Sequence, residues 1–419
     1  MEIQNNRNSI RLNIVELFLF IFTMIFIGEI KGVDIRIGVD LFWLLYSLIK
    51  RVRSVVFFTK EQILELFFLL AILVYVGAVF IFSDEISTFY FLKIFRCLVS
   101  SIVIFTFFNN TDVDLIRASK AYIIATSVHV FTVLGSFLSP QLREYVYLFS
   151  GYSKKYLPFR SSGLFSGYDY AGFFINIAIF ILGIFIIKKI STHVFSYFLL
   201  ILFMISVLMT SRFNSVILIL IIFLLLGISL KSSNQFSKIF LSTLTIFISI
   251  IGGIFMIISM NILPMIRYII VNRFPTLDYL STTIINSYAN YNVSDTISSQ
   301  YTLPKGMTMV FGENLRAPVD PGYINSIYYI GVIGLILILS FYTYLVILSV
   351  SRTNAQFSTI VIFMYIITVV FEMKLSFLFS SGAFEVFVIF WCITDINKKK
   401  IDNLGIVREK NNRKSNKIE

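Results

Sequence analysis

Apolar runs long enough to cross a bilayer recur along the whole chain, and they fix the solvent in which most of it must fold. A spanning helix needs about 20 largely apolar residues, with about 17 tolerated. By that measure, spans are expected near 12–28, 37–49, 63–82, 90–108, 121–139, 168–187, 195–209, 214–230, 239–260, 323–349, 357–371 and 378–394. The first follows Arg7 and Arg11 with no small-residue cleavage site after it, so it reads as an uncleaved span. The expected fold class is an all-α integral membrane protein of about 12 transmembrane helices, with both termini cytoplasmic.

Only 14% of residues are charged, against about a quarter in soluble domains. The net charge of +12 gathers on no soluble domain, so nucleic acid is not an expected partner. Cys97 and Cys392 both fall inside apolar runs and suggest neither a disulfide framework nor a metal site.

Short cytoplasmic loops collect Lys and Arg. Basic residues gather accordingly in the segments assigned inside, including the basic tail 395–419, of which Asn397 to Glu419 reads as disordered. Three outer segments break the pattern: the loop 140–167, the hairpin at Arg212 and the long polar loop 261–322. The expected organisation is thus helices over 1–260, the large outer loop over 261–322, helices over 323–394, and the tail. The second span is short and contains Asp40, although Lys50 and Arg51 can snorkel. Met209 to Phe213 allows only a very tight hairpin between the seventh and eighth spans.

The outward cations are the candidate functional residues. Arg160 precedes Gly163 and Gly167, which let backbone bend close to a ligand or to a helix N-terminus that favours an anion. An ordinary interfacial arginine is the plain alternative. Arg212 stands at a hairpin tip where a neutral residue is expected, and its planar fork suits a phosphate. The alternative is an arginine that marks the membrane boundary.

Within the large loop, residues 262–274 form an amphipathic pattern with Arg267 and Arg273 on its polar side. Pro275 ends it, and 277–291 is a second, more polar helical candidate. Tyr323, with other loop tyrosines, offers the flat amphipathic surface that packs on sugar rings or sits in an interfacial belt. Asp169 and Asp320, each just before an outer helix start, are placed to take a proton from an alcohol or to cap those helices. The phosphate-loop, HExxH and GxSxG patterns are missing, and the two histidines lie in the fifth span (His129) and an inner loop (His193). No external histidine chemistry is expected.

Arg160-x-x-Gly163 before a span, Ser211-Arg212 in a hairpin, a long outer loop, and Asp320-x-Gly322-Tyr323 leading into Tyr329-Ile330-Gly331 together resemble the O-antigen and capsule repeat-unit polymerases (Wzy type), relatives of the O-antigen ligases. The layout matches along the entire chain, and the order of the motifs is more specific than any one of them. The resemblance implies a GT-C-like glycosyltransferase of the bacterial plasma membrane. Such an enzyme moves a glycan from undecaprenyl diphosphate to a hydroxyl of the next lipid-linked repeat, without metal or cofactor.

It further implies Arg160, Arg212 and Arg316 at the donor diphosphate, Arg267 or Arg273 at the second diphosphate, and Asp320 at the acceptor hydroxyl. A flippase and a chain-length regulator would be its partners. The ligase branch relies on a loop histidine that 261–322 lacks. A flippase is the other reading; it calls for charges along a central path, for which Asp40, Arg96 and Glu385 are the candidates. A sensor or structural membrane protein is the third.

Overall fold

The structure is a computed structural model. It describes residues 12–50 (except 28, 31 and 32), 58–83, 88–150 (except 110), 160–191, 194–231, 235, 238–243, 245, 301–351 (except 316, 318 and 319) and 355–396. The amphipathic segments expected at 262–274 and 277–291 lie outside these residues, as do Arg267, Arg273 and Arg316.

The described helices are α1 (Ile14–Phe26), α2 (Arg36–Lys50), α3 (Lys60–Phe82), α4 (Phe89–Phe108), α5 (Leu115–Leu138), α6 (Pro140–Ser150), α7 (Tyr168–Ile187), α8 (Val194–Leu208), α9 (Arg212–Leu230), α10 (Met307–Phe311), α11 (Gly322–Val350), α12 (Ala355–Phe371) and α13 (383–396). A two-residue antiparallel hairpin, Glu29–Ile30 against Val33–Asp34, joins α1 to α2. Six described helices are long and apolar enough to cross a membrane: α3, α4, α5, α7, α9 and α11. The chain is therefore an α-helical, multi-pass membrane protein. Two details depart from the sequence reading: residues 140–150 of the expected outer loop are helical, and the last helix starts at 383 rather than 378.

Helix starts carry the expected chemistry. Thr59 and Gln62 close a reciprocal capping box on α3, Asp114 accepts from the Arg117 N–H at 2.6 Å on α5, and Ser211 caps α9. Lipid tails are as apolar as Leu, so close packing rather than water exclusion must hold such helices together. Packing is closest around α7, which is buried from Ala171 to Ile187, and around α13, where Phe384 to Ile393 are almost all enclosed. Outer helices instead turn large apolar side chains outward, such as Phe67 and Val74 of α3 and Leu220 of α9. In a membrane this is the lipid-facing surface.

Polar contacts sort the bundle into two ends. At one end the Thr59 hydroxyl donates to Asp395 (2.9 Å), Gln62 and Asn109 pair their amides, and the Arg117 guanidinium reaches the Leu12 carbonyl (2.6 Å). The other end gathers the starts of α4, α7, α9 and α11 and the candidate residues.

The long helix α11 breaks at Gly331, whose φ of 67° combined with ψ of 178° is a backbone conformation open essentially only to glycine. The break frees carbonyls that other groups then satisfy. Tyr328 accepts from the Glu313 N–H (3.0 Å), Tyr329 from the Asn314 N–H (3.1 Å), and Ile330 from the Tyr75 hydroxyl (2.9 Å). A Cβ on Gly331 would collide with the Val310 carbonyl, which is backbone and cannot swing away. Gly331→Ala is accordingly expected to destabilise the protein by about 2–4 kcal/mol. Gly227→Ala, in the last turn of α9 with open space around it, should stabilise by about 0.5–1 kcal/mol. Thermal unfolding of the purified protein in detergent checks both, and equal shifts would refute the account of the break.

Candidate functional site

Three of the sequence-predicted residues share one corner. The Ser161 N–H donates to the Met209 carbonyl at 2.8 Å, which ties the residue after Arg160 to the turn between α8 and α9. From the first turn of α7, the Asp169 carboxylate accepts the Ser211 hydroxyl. Arg212 is the next residue and is exposed. Asn214, one turn into α9, donates its amide to the Tyr168 carbonyl at 3.1 Å and to the Ser211 hydroxyl at 3.0 Å. A Cβ on Gly172 would overlap that amide, so the starts of α7 and α9 meet more closely than a larger residue allows. Arg160 itself is half-buried, with its guanidinium carbon 5.9 Å from the centre of the Tyr168 ring, a cation–π arrangement.

The segment bearing Arg160 is held from below by α5. Gly163 has φ of 54°, and a Cβ there would lie 2.7 Å from the His129 ring. The Leu164 N–H donates to His129 Nδ1 at 3.4 Å, and Phe165 packs edge-on against the same ring. His129 is thus a buried support for the loop, consistent with its place inside a span.

Asp320 and Tyr323 lie at the start of α11. Asp320 is exposed and does not cap the helix: Pro321 occupies the cap position, with no side-chain cap bond. The Asp320 carbonyl accepts the Asn325 side-chain amide (3.2 Å). Tyr323, expected to offer a flat ring face to sugars or to the interface, donates its hydroxyl to the Val369 carbonyl of α12 at 2.6 Å and so clasps α11 to α12.

The two groups meet through a turn that sequence reasoning passed over, residues 372–378. The Glu372 carbonyl accepts the Gly322 N–H (2.9 Å), and the Ser376 carbonyl accepts the hydroxyl of Tyr170, next to Asp169 (2.8 Å). One Glu372 carboxylate oxygen takes the N–H groups of Phe377 and Leu378, both at 2.6 Å. Lys93 of α4 donates to the Ser376 hydroxyl at 2.8 Å. Burial pushes the Glu372 carboxyl up to about 7, with the Lys93 charge opposing.

One turn further along α4, Arg96 donates to the Phe379 carbonyl (3.0 Å) and lies 3.8 Å from Glu385. The Ser100 hydroxyl stands between Asp40 (3.0 Å) and Glu385 (3.3 Å). The available signal was Lys93 and Arg96 one turn apart in an apolar helix, since charges within a span are costly and serve a purpose.

No family model, curated protein or solved structure matches the chain. The site's meaning therefore rests on its own chemistry: exposed and half-buried guanidiniums, two carboxylates at helix starts, and a carboxylate–ammonium turn beneath them.

A carboxyl whose value rises on folding costs stability when it ionises. For Glu372 that cost is absent below its ordinary value of 4.5 and complete above about 7. Glu372→Gln keeps an oxygen for the two N–H donors and cannot ionise. Its melting temperature relative to the native protein should therefore rise between pH 5 and pH 8, read by thermal unfolding in detergent. A difference that stays constant with pH would overturn the assignment.

Proposed function

We propose that this chain is a polymerase that joins undecaprenyl-diphosphate-linked oligosaccharide repeats into O-antigen or capsular polysaccharide at the outer face of a bacterial plasma membrane. The supporting observation is the corner in which the Arg160 segment, Asp169 and the Ser211-Arg212 turn are tied together by the Ser161–Met209 and Asp169–Ser211 hydrogen bonds.

Breaking the bond between a sugar and a lipid diphosphate leaves negative charge on the departing diphosphate. Guanidiniums fixed before the reaction stabilise that charge with no reorganisation. Asp320, exposed and uninvolved in capping, takes the acceptor hydroxyl's proton as general base. Arg316, Arg267 and Arg273 stay assigned to the diphosphates by the resemblance alone.

The rest of the reading follows from the same premise. Twelve spans in a GT-C-like arrangement, with both termini inside, put the candidate corner outside and leave Lys60, Arg117, Lys188 and Lys231 at the inner ends of their helices. An apolar groove of about 270 Å³ runs between α9 and α12, lined by residues such as Ile217, Ile221, Leu224, Phe363 and Ile366. It starts about a turn and a half from Arg212 along α9, which suits an isoprenoid tail whose head lies at that guanidinium.

A second reading, a flippase for the same lipid-linked sugars, is favoured by one observation. Asp40, Arg96 and Glu385 come from three helices and meet around Ser100. Deleting the gene and resolving surface glycan on a gel separates the readings. Collapse to a single repeat supports the polymerase, loss of all repeats supports the flippase, and free polymer that never reaches its lipid core supports a ligase.

Two substitutions test the roles. Arg212→Lys keeps the charge but loses the fork, and should lower polymerisation rate by about 10²–10³-fold in an assay of chain growth; near-normal chain length counts against bidentate binding. Asp320→Asn should stop polymer growth while leaving the protein folded, and unchanged output removes Asp320 as the base.

A further inference from the structure

Lys93 is 8% exposed on the second turn of α4, and the Glu372 carboxylate that faces it across the turn stays beyond ion-pair distance. Its ammonium carries three donors. One goes to the Ser376 hydroxyl at 2.8 Å, and the Tyr90 ring lies 5.3 Å away. Among the described residues no carboxylate oxygen comes within 4.0 Å of it, and its other two donors have no protein acceptor.

The neighbouring charges have other work. Arg96 holds the Phe379 carbonyl and faces Glu385, and Glu372 receives backbone N–H groups of its own turn. Lys93 gives that turn one hydrogen bond, through Ser376, beside the anchors that Arg96 and Glu372 supply. A buried ammonium with open donors is costly unless an anion completes it.

Position says which anion. Ser376, the partner of Lys93, also receives the hydroxyl of Tyr170, which adjoins Asp169 and thus the Arg160 and Arg212 corner. Glu372, four residues before Ser376, receives the backbone of Gly322 from the Asp320 side. Lys93 is therefore the cation beneath the junction of the two halves.

We propose that Lys93 is an anion-binding residue of this site, offering its two open N–H donors to phosphate oxygens of the substrate from the membrane side, while guanidiniums meet the same group from the outside. The assignment rests on the reading that the substrate is a lipid diphosphate, and extends it to a residue embedded in α4.

The test uses the full-length protein in lipid nanodiscs, with farnesyl diphosphate as probe and binding followed by calorimetry. Lys93→Met should weaken binding by about ten- to hundredfold, the loss of charge-assisted hydrogen bonds. Lys93→Arg should restore most of the affinity. Lys93→Gln keeps a donor for Ser376 without the charge, and should show the same loss as Met; it serves where the Met variant does not fold.

Unchanged affinity in Lys93→Gln overturns the proposal. If Arg160→Ala and Arg212→Ala weaken binding while both neutral Lys93 variants do not, the diphosphate reading survives and Lys93 leaves it. If only the Lys93 variants weaken binding, Lys93 stands and the guanidinium roles fall. A native protein that does not bind the probe removes both.

Discussion

In a membrane the backbone has no water to fall back on, so every departure from helix must be met by a protein group. The turn from Glu372 to Gly382 is the severest departure among the described residues: Phe377, Leu378 and Phe379 are fully enclosed, yet none is helical. It persists because side chains take over from the missing helical bonds. The Glu372 carboxylate receives two N–H groups, Arg96 reaches the Phe379 carbonyl, Tyr342 accepts the Phe379 N–H at 3.3 Å, and Glu385 accepts that of Gly382 at 2.5 Å. Charged groups that would be a liability in lipid become the means of building irregular backbone there.

That turn also determines what the site can be. It contacts the first turn of α7 through Tyr170 and the first turn of α11 through Gly322, so the positions of Asp169 and Asp320 depend on it. A change at Glu372 or Ser376 would shift both carboxylates without touching either. The break in α11 at Gly331 serves the same end of the bundle, because it receives the 313–314 backbone and the Tyr75 hydroxyl. Both irregular segments are packed into place, as a site needs if its geometry is to be ready before substrate binds.

The cations divide by the work their surroundings leave them. Arg96 is committed to a carbonyl and a carboxylate. Arg212 is exposed at a helix start, and Arg160 lies over an aromatic ring while its neighbour Ser161 is fixed to the adjacent turn. Lys93 combines deep burial with open donors.

Apolar runs and their punctuation were enough to read the class of protein and most helix positions, because a bilayer tolerates few alternatives to helix and the required length is set by its thickness. The hairpin at Ser211-Arg212 was also legible, since a cap residue and a misplaced cation each carry a local meaning; that Gly163 bends its backbone against His129 of α5 was not. The partnership of Lys93, Glu372 and Ser376 was not, because residues some 280 positions apart meet only through packing. Nor could sequence tell that Tyr323 would spend its hydroxyl on Val369, or that Asp40 and Glu385 would share one serine with Arg96 beside Glu385. Local pattern determined which segments enter the membrane; tertiary contact alone decided which of their charges are satisfied there, because satisfaction is a property of neighbours and not of spacing.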